Sequence, residues 1–260
     1  MWLLIVVAII LILIVVPILI VIPLSFSSSS FITFPPPGYS LQWYQKIFEQ
    51  DAWIEAIIRS LEIAVGCVIL SLILGTMAAL AMTRLQFKGK NVVMALMLSP
   101  MIIPTVILGI AMYRFYSITH LYNTPLGLLF AHTLIALPMV FITVSTSLRG
   151  VDRNLELAAI GMGSTPVGAF FKIGLSLIKP GLLSGGLFAF VTSLDEITVT
   201  LFIGGSKSTT LPKLMWEGMQ SETSPIISAV SALLIACTSL LFVIQAFSSR
   251  RKKNKNSLAA

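Results

Sequence analysis

Charge is scarce in this chain. Of its 260 residues only 10% are charged, against 57% hydrophobic, where a soluble domain carries about 25% charged residues. That excludes a soluble globule and a disordered polar chain alike. Cysteine is nearly missing: Cys67 and Cys237 both lie inside apolar runs, which reads as small buried hydrophobes and leaves no disulfide frame. The two histidines, His120 and His132, have no second ligand at metal spacing. No glycine-rich loop ends in Gly-Lys-Ser/Thr, since Gly204-Gly205-Ser206-Lys207 lacks the Gly-Lys pair, so the chain has no phosphate loop of that kind for ATP. The net charge of +7 sits in short loops beside apolar segments, a pattern of membrane orientation and not of nucleic-acid binding.

What the chain has is long hydrophobic runs, and a membrane-spanning helix needs about 20 apolar residues. The run over 1–24 lacks a basic leader and a small-residue cleavage site. It exceeds the roughly 7–15 apolar residues of a signal peptide core, so it reads as a retained first helix with Pro17 and Pro23 inside. Residues 25–56 follow, first rich in Ser and Pro, then mixing Trp43, Tyr44, Phe48 and Trp53 with acids. Such aromatics gather at membrane–water boundaries, which predicts an external, interfacial segment. Five further spans are predicted at about 60–83, 91–114, 127–148, 181–203 and 225–247. Ser71, Gly75 and Ala79 form a small-residue ridge on the second, and Gly181 and Gly185 open the fifth at the same spacing, both suited to close helix approach. Pro100 and Pro104 kink the third span or break its entry. The tail over 248–260 is basic.

The predicted fold class is an all-α membrane protein with six transmembrane helices and a long cytoplasmic insert between the fourth and fifth spans. The tail, the loop at Arg84–Lys90 and the insert hold most of the basic residues. The other side has only Lys46, Arg59, Arg114, Lys207 and Lys213. The positive-inside rule therefore puts the insert and both termini in the cytoplasm.

The insert, 149–180, carries charges and cannot itself span. Leu155, Ala158, Ala159 and Met162 fall at i, i+3, i+4, i+7, one stripe of a short amphipathic helix. Asp152 is placed to cap it, and Gly161 and Gly163 weaken and stop it. Ser164-Thr165-Pro166 restarts a helix with a second stripe at Val167, Phe170, Phe171 and Gly174. A helix–Gly–helix elbow results, which either packs on the chain's own spans or docks a partner.

The order Glu156, Ala158-Ala159, Gly163, Ile173, Leu175 resembles the EAA loop of ABC-importer permeases, with Leu157 and Ser176 standing where the family has glutamate and proline. The Ser25–Tyr44 and Ser193–Lys213 stretches are similar to the polyamine (spermidine/putrescine) branch; iron(III), sulfate and thiamine permeases share the architecture. The resemblance implies a type-1 permease core over 57–247, in the inner membrane of a prokaryote, whose loop is a coupling helix. Leu155, Glu156, Ala158, Ala159, Met162 and Gly163 would engage a cytosolic ABC ATPase dimer, which would bind the ATP and Mg; no cofactor is expected in this chain. A second permease subunit (a paralogue in that branch), an extracytoplasmic solute-binding protein and membrane lipid would be its other partners, with no nucleic acid.

Asp195 and Glu196 are adjacent acids inside the predicted fifth span, where a charge costs about 2.5–3.5 kcal/mol on insertion scales. Read as one continuous helix, neighbours point about 100° apart, so both face one cavity only if it is wide. Asp195 and Glu196 are the candidates for the translocation path, at least one lining it and favouring a cationic substrate, against a structural anchor to a neighbouring span. An intramembrane enzyme using the pair finds no carboxylate at i+3 or i+4 and no Ser–His or metal set in the sequence.

Overall fold

The computed structural model describes residues 2–221 and 224–257, with side chains described as far as Phe247. The basic side chains of the expected tail lie outside the described residues. Helices run α1 Trp2–Ser25, α2 Gln42–Glu49, α3 Asp51–Arg84, α4 Lys90–Ile102, α5 Thr105–Ile118, α6 Pro125–Arg149, α7 Asn154–Gly161, α8 Pro166–Ala169, α9 Leu175–Leu177, α10 Lys179–Asp195, α11 Thr198–Ile203, α12 Leu211–Ser221 and α13 Ile226–Ser257. No named strand occurs among the described residues. Among the described residues four helices, α1, α3, α6 and α13, are long and apolar enough to cross a membrane. Up to six spans result if each of two bent pairs, Lys90–Ile102 with Thr105–Ile118 and Pro166–Leu177 with Lys179–Asp195, counts as one.

The chain divides into two compact units, one of Met1–Ile58 with Leu211–Leu241, the other of Arg59–Thr210 with Phe242–Ala260. In the first, α1 is apolar all round and almost wholly exposed, as a helix solvated by lipid should be. The Ser/Pro stretch after it does not wander. Trp43 Nε1 donates to the Ser27 carbonyl at 2.7 Å, Gln42 Nε2 to that of Ser28 at 2.9 Å, and the Ser25 and Tyr44 hydroxyls meet at 2.8 Å. The interfacial segment of the sequence becomes α2 and the first turns of α3. Trp43, Ile47, Trp53 and Ala56 bury themselves against Leu211, Ile226, Ile227 and Val230, so these aromatics serve a packed cluster.

In the second unit α6 is the central helix. Its residues Ala136, Val140, Phe141, Val144 and Leu148 form one core with Cys67, Ala79 and Met82 of α3 and Ala189 of α10. A second core joins Leu128 and Ala131 of α6 to Ile63, to Leu108 and Met112 of α5, and to Val199 and Ile203 of α11. The small-residue ridges do what their spacing predicts. A methyl group on Gly75 would stand 2.7 Å from Val140 Cγ1, and one on Gly185 2.8 Å from Thr143 Oγ1. Both helices therefore approach α6 too closely for a side chain at those points. Gln245 of α13 adds a polar tie, its Nε2 donating to Ser184 Oγ of α10 at 2.9 Å.

Two expected spans are not single helices. The third divides into α4 and α5, bent by 105°. Pro104 is responsible and Pro100 is not: Pro100 stays inside α4, whereas Ile103, before Pro104, is extended at φ −76°, ψ 129°, as sterics before proline demand. The fifth, expected unbroken over 181–203, starts at Lys179 and stops after Asp195.

Replacing Gly75 with leucine should destabilise the protein by about 1–3 kcal/mol through overpacking, read as a lower thermal unfolding midpoint in detergent. Gly161, helical with nothing within 4 Å of an added methyl group, is the control. Gly161→Ala should leave the midpoint unchanged or raise stability by up to about 1 kcal/mol.

Candidate functional site

The insert forms the elbow expected of it, with its faces assigned differently. Asp152 Oδ1 accepts from the Asn154 amide at 2.9 Å and starts α7. Gly163 ends the turn at φ +93°, a left-handed conformation that costs glycine little. Thr165 then caps α8, its Oγ1 accepting from the Gly168 amide at 3.1 Å, with Pro166 at the first helical position. From Phe170 to Gly174 the helix widens into a π turn before α9 and α10.

Leu155, Leu157, Ala158 and Met162 are exposed, Met162 at 82%, but Ala159 is 5% exposed and Glu156 4%. The expected stripe of Leu155, Ala158, Ala159 and Met162 is therefore not one face: Ala159 turns inward and Leu157 joins the outer side. The cause is electrostatic. Glu156 reaches back to Arg84, the last residue of α3, whose Nη2 donates to Glu156 Oε1, and the guanidinium lies 5.7 Å from the centre of the Phe170 ring. A buried carboxylate must be paired, and that requirement sets the rotation of a short helix more firmly than its apolar period does. Gly163 is exposed at the tip of the elbow.

The second candidate region lies where the fifth span breaks. α10 ends at Asp195; Glu196 is non-helical at φ −73°, ψ 106°, so the expected fixed angle between two helical neighbours does not apply. Glu196 Oε1 accepts from the Val199 amide at 2.7 Å and restarts the helix as α11. Thr200 Oγ1 donates to the Glu196 carbonyl at 3.1 Å. His132 of α6, 1% exposed, bridges the break: Nδ1 lies 2.8 Å from Ser193 Oγ, and Nε2 3.0 Å from Thr200 Oγ1. Each ring nitrogen thus meets one hydroxyl, Ser193 before the break and Thr200 after it. Asp195 takes no part in this brace. It is exposed and has no hydrogen bond or ion pair among the described residues.

Three residues that shape these two regions, His132, Ser193 and Arg84, are not singled out by the sequence. His132 and Ser193 form the Ser–His pair that linear spacing does not display, 61 residues apart. Ser193 is 4% exposed and the far ring nitrogen is held by a hydroxyl instead of a carboxylate, so the pair is a structural brace, unlike a nucleophile and its oriented base. The signal for His132 is present, since an ionisable residue one turn inside an apolar span is noteworthy by itself. Arg84 is hidden among the basic residues that set orientation.

His132→Ala leaves the Ser193 and Thr200 hydroxyls without their buried partner and should cost about 1–3 kcal/mol. Glu196→Gln keeps an oxygen for the Val199 amide and should unfold near the wild-type midpoint, while Glu196→Ala loses the cap and about 0.5–2 kcal/mol. Thermal unfolding of the three variants in detergent tests this order.

A family model described as "binding-protein-dependent transport system inner membrane component" matches residues 71–254. The chain is 32% identical over 239 residues to the putrescine transport system permease protein PotI of Escherichia coli strain K12, covering 89% of this chain and 85% of that one. It is 29% identical over 217 residues to the spermidine/putrescine transport system permease protein PotC of Haemophilus influenzae, covering 84% of each. Among solved structures, it is similar to a chain in the crystal structure of a bacterial alginate ABC transporter in complex with alginate pentasaccharide-bound periplasmic protein. The TM-score is 0.70 with 13% identity over 96% of this chain and 93% of that one, which shows the shared fold. The chain belongs to the binding-protein-dependent transport inner-membrane component family, and is a multi-pass inner-membrane permease of an ABC importer.

Proposed function

We propose that this permease carries a polyamine of the putrescine or spermidine class, as one of two permease subunits in the importer. The observation that carries the substrate class is Asp195, an exposed carboxylate with no partner among the described residues, at a break in an otherwise apolar span. A carboxylate inside a membrane is retained at a cost, and a passing ammonium group would offset it. The relatives named for putrescine and spermidine transport support the same class. Glu196, turned inward on the α11 cap, is given a structural part instead of a place on the path.

ATP and Mg are assigned to a separate cytosolic ATPase dimer, since this sequence has no Gly-Lys phosphate loop. The dimer docks on the outer side of α7, where Leu155, Ala158 and Met162 are exposed beside Gly163. The chain itself performs no catalysis. A second, paralogous permease subunit completes the path, an extracytoplasmic solute-binding protein delivers the substrate, and lipid surrounds α1. The insert and both termini are cytoplasmic, on the basic side of the membrane.

Asp195→Asn should lower uptake of radiolabelled putrescine about tenfold, the effect of losing some 1.4 kcal/mol, at unchanged membrane abundance; uptake at the wild-type rate would remove Asp195 from the path. Ala158→Glu or Met162→Glu should abolish co-purification of the ATPase with a tagged permease. Retention of the ATPase by both variants would place docking elsewhere.

A further inference from the structure

The loop that the ATPase is read to touch is tied to the second transmembrane helix by a buried ion pair. α7 packs chiefly on α8 and on the π turn of its own loop. Among the described residues, the side-chain hydrogen bond that leaves this loop segment for a transmembrane helix is the one from Arg84, at the end of α3, to Glu156. Glu156 is 6% exposed at its side chain and Arg84 23%, so the pair is shielded from the screening that makes exposed ion pairs weak.

The surroundings are built to hold it. The Phe170 ring lies 5.7 Å from the guanidinium carbon of Arg84, within the range of a cation–π contact. Gly174 leaves space for the carboxylate: an added methyl group would collide with Glu156 Oε1 and stand 2.8 Å from Phe170 Cδ2. Phe170 and Gly174 are the two ends of the π turn, and such turns recur at functional sites. Leu155, Ala158 and Met162 remain exposed on the opposite side of the same short helix. One side of α7 is thus free for a partner while the other grips α3.

We propose that the Arg84–Glu156 ion pair, seated against Phe170 and Gly174, is the link through which displacement of the ATPase-docked loop is passed to the second transmembrane helix. Glu156 then acts as a positioning residue turned toward its own chain, and does not contact the ATPase. The proposal rests on the coupling-loop reading above. α3 carries the Gly75 contact to α6, and α6 carries His132 at the break of the fifth span, so a shift of α3 acts on the helix that braces the path.

The test uses the whole importer, purified through a tag on the permease. In a Cys237→Ser background, Leu74, which is 43% exposed on α3, is changed to cysteine and its maleimide labelling rate is measured with and without trapping by ATP and vanadate. The paired variant Arg84→Met/Glu156→Leu removes both charges without stranding one, and such replacements of buried pairs keep proteins folded. It should retain the ATPase at the wild-type ratio, lose the trapping-dependent change in labelling, and lower putrescine uptake about tenfold. The reversed pair Arg84→Glu/Glu156→Arg should restore part of the response that either single reversal abolishes.

A wild-type labelling response in the paired variant overturns the proposal. Loss of the ATPase from the paired variant also overturns it, because Glu156 or Arg84 would then belong to the docking surface. If the wild-type permease brings down no ATPase, the coupling-loop reading itself fails. If it brings down the ATPase but takes up no putrescine, only the substrate assignment falls, and the labelling comparison still decides the ion pair.

Discussion

Inside hydrocarbon a backbone amide or carbonyl without a partner costs several kcal/mol, and this constraint governs the second unit of the permease. A continuous helix satisfies it automatically; a broken one does not. At the break after Asp195 the chain supplies partners one by one. The Glu196 carboxylate takes the Val199 amide, the Thr200 hydroxyl takes the Glu196 carbonyl, and His132 from α6 clamps Ser193 and Thr200 from either side of the gap. The break exists because those four side chains make it affordable. Asp195, the last residue before the break, takes no part in the brace and is exposed.

The brace works only if α6 lies close to both α3 and α10, and close approach is a matter of absent side chains. Gly75 meets Val140, and Gly185 meets Thr143, at separations that a methyl group would violate. With little hydrophobic drive between helices in lipid, van der Waals contact and a few interhelical hydrogen bonds hold such packing together. Gln245 to Ser184 is one such bond, and the two from His132 are others. The same closeness lets a movement at one end of α3 be felt along α6, since packed helices do not deform continuously.

In the loop, charge overrode periodicity. The apolar spacing of Leu155, Ala158, Ala159 and Met162 describes a face that eight residues of helix could present either way. Pairing of Glu156 with Arg84 fixed the rotation, so Ala159 went in and Leu157 came out. The position of the acid, one residue before the family's usual place, is what brings it onto α3, and the departure from pattern at Leu157 is accommodated by exposure.

From the sequence alone follow the membrane class, the elements of the spans, the elbow at Gly163 and the family, because hydropathy, glycine, proline and capping residues act locally. The helix that begins near Asn154, the stop at Gly163 and the restart at Pro166 need no distant partner. The break at Glu196, the choice of Pro104 over Pro100 as the bend, and the inward face of α7 were decided by tertiary structure. The first and last depend on residues far apart in the chain, His132 with Ser193 and Arg84 with Glu156. Two polar groups in apolar surroundings bind each other strongly wherever the fold brings them together, and no local spacing records that meeting.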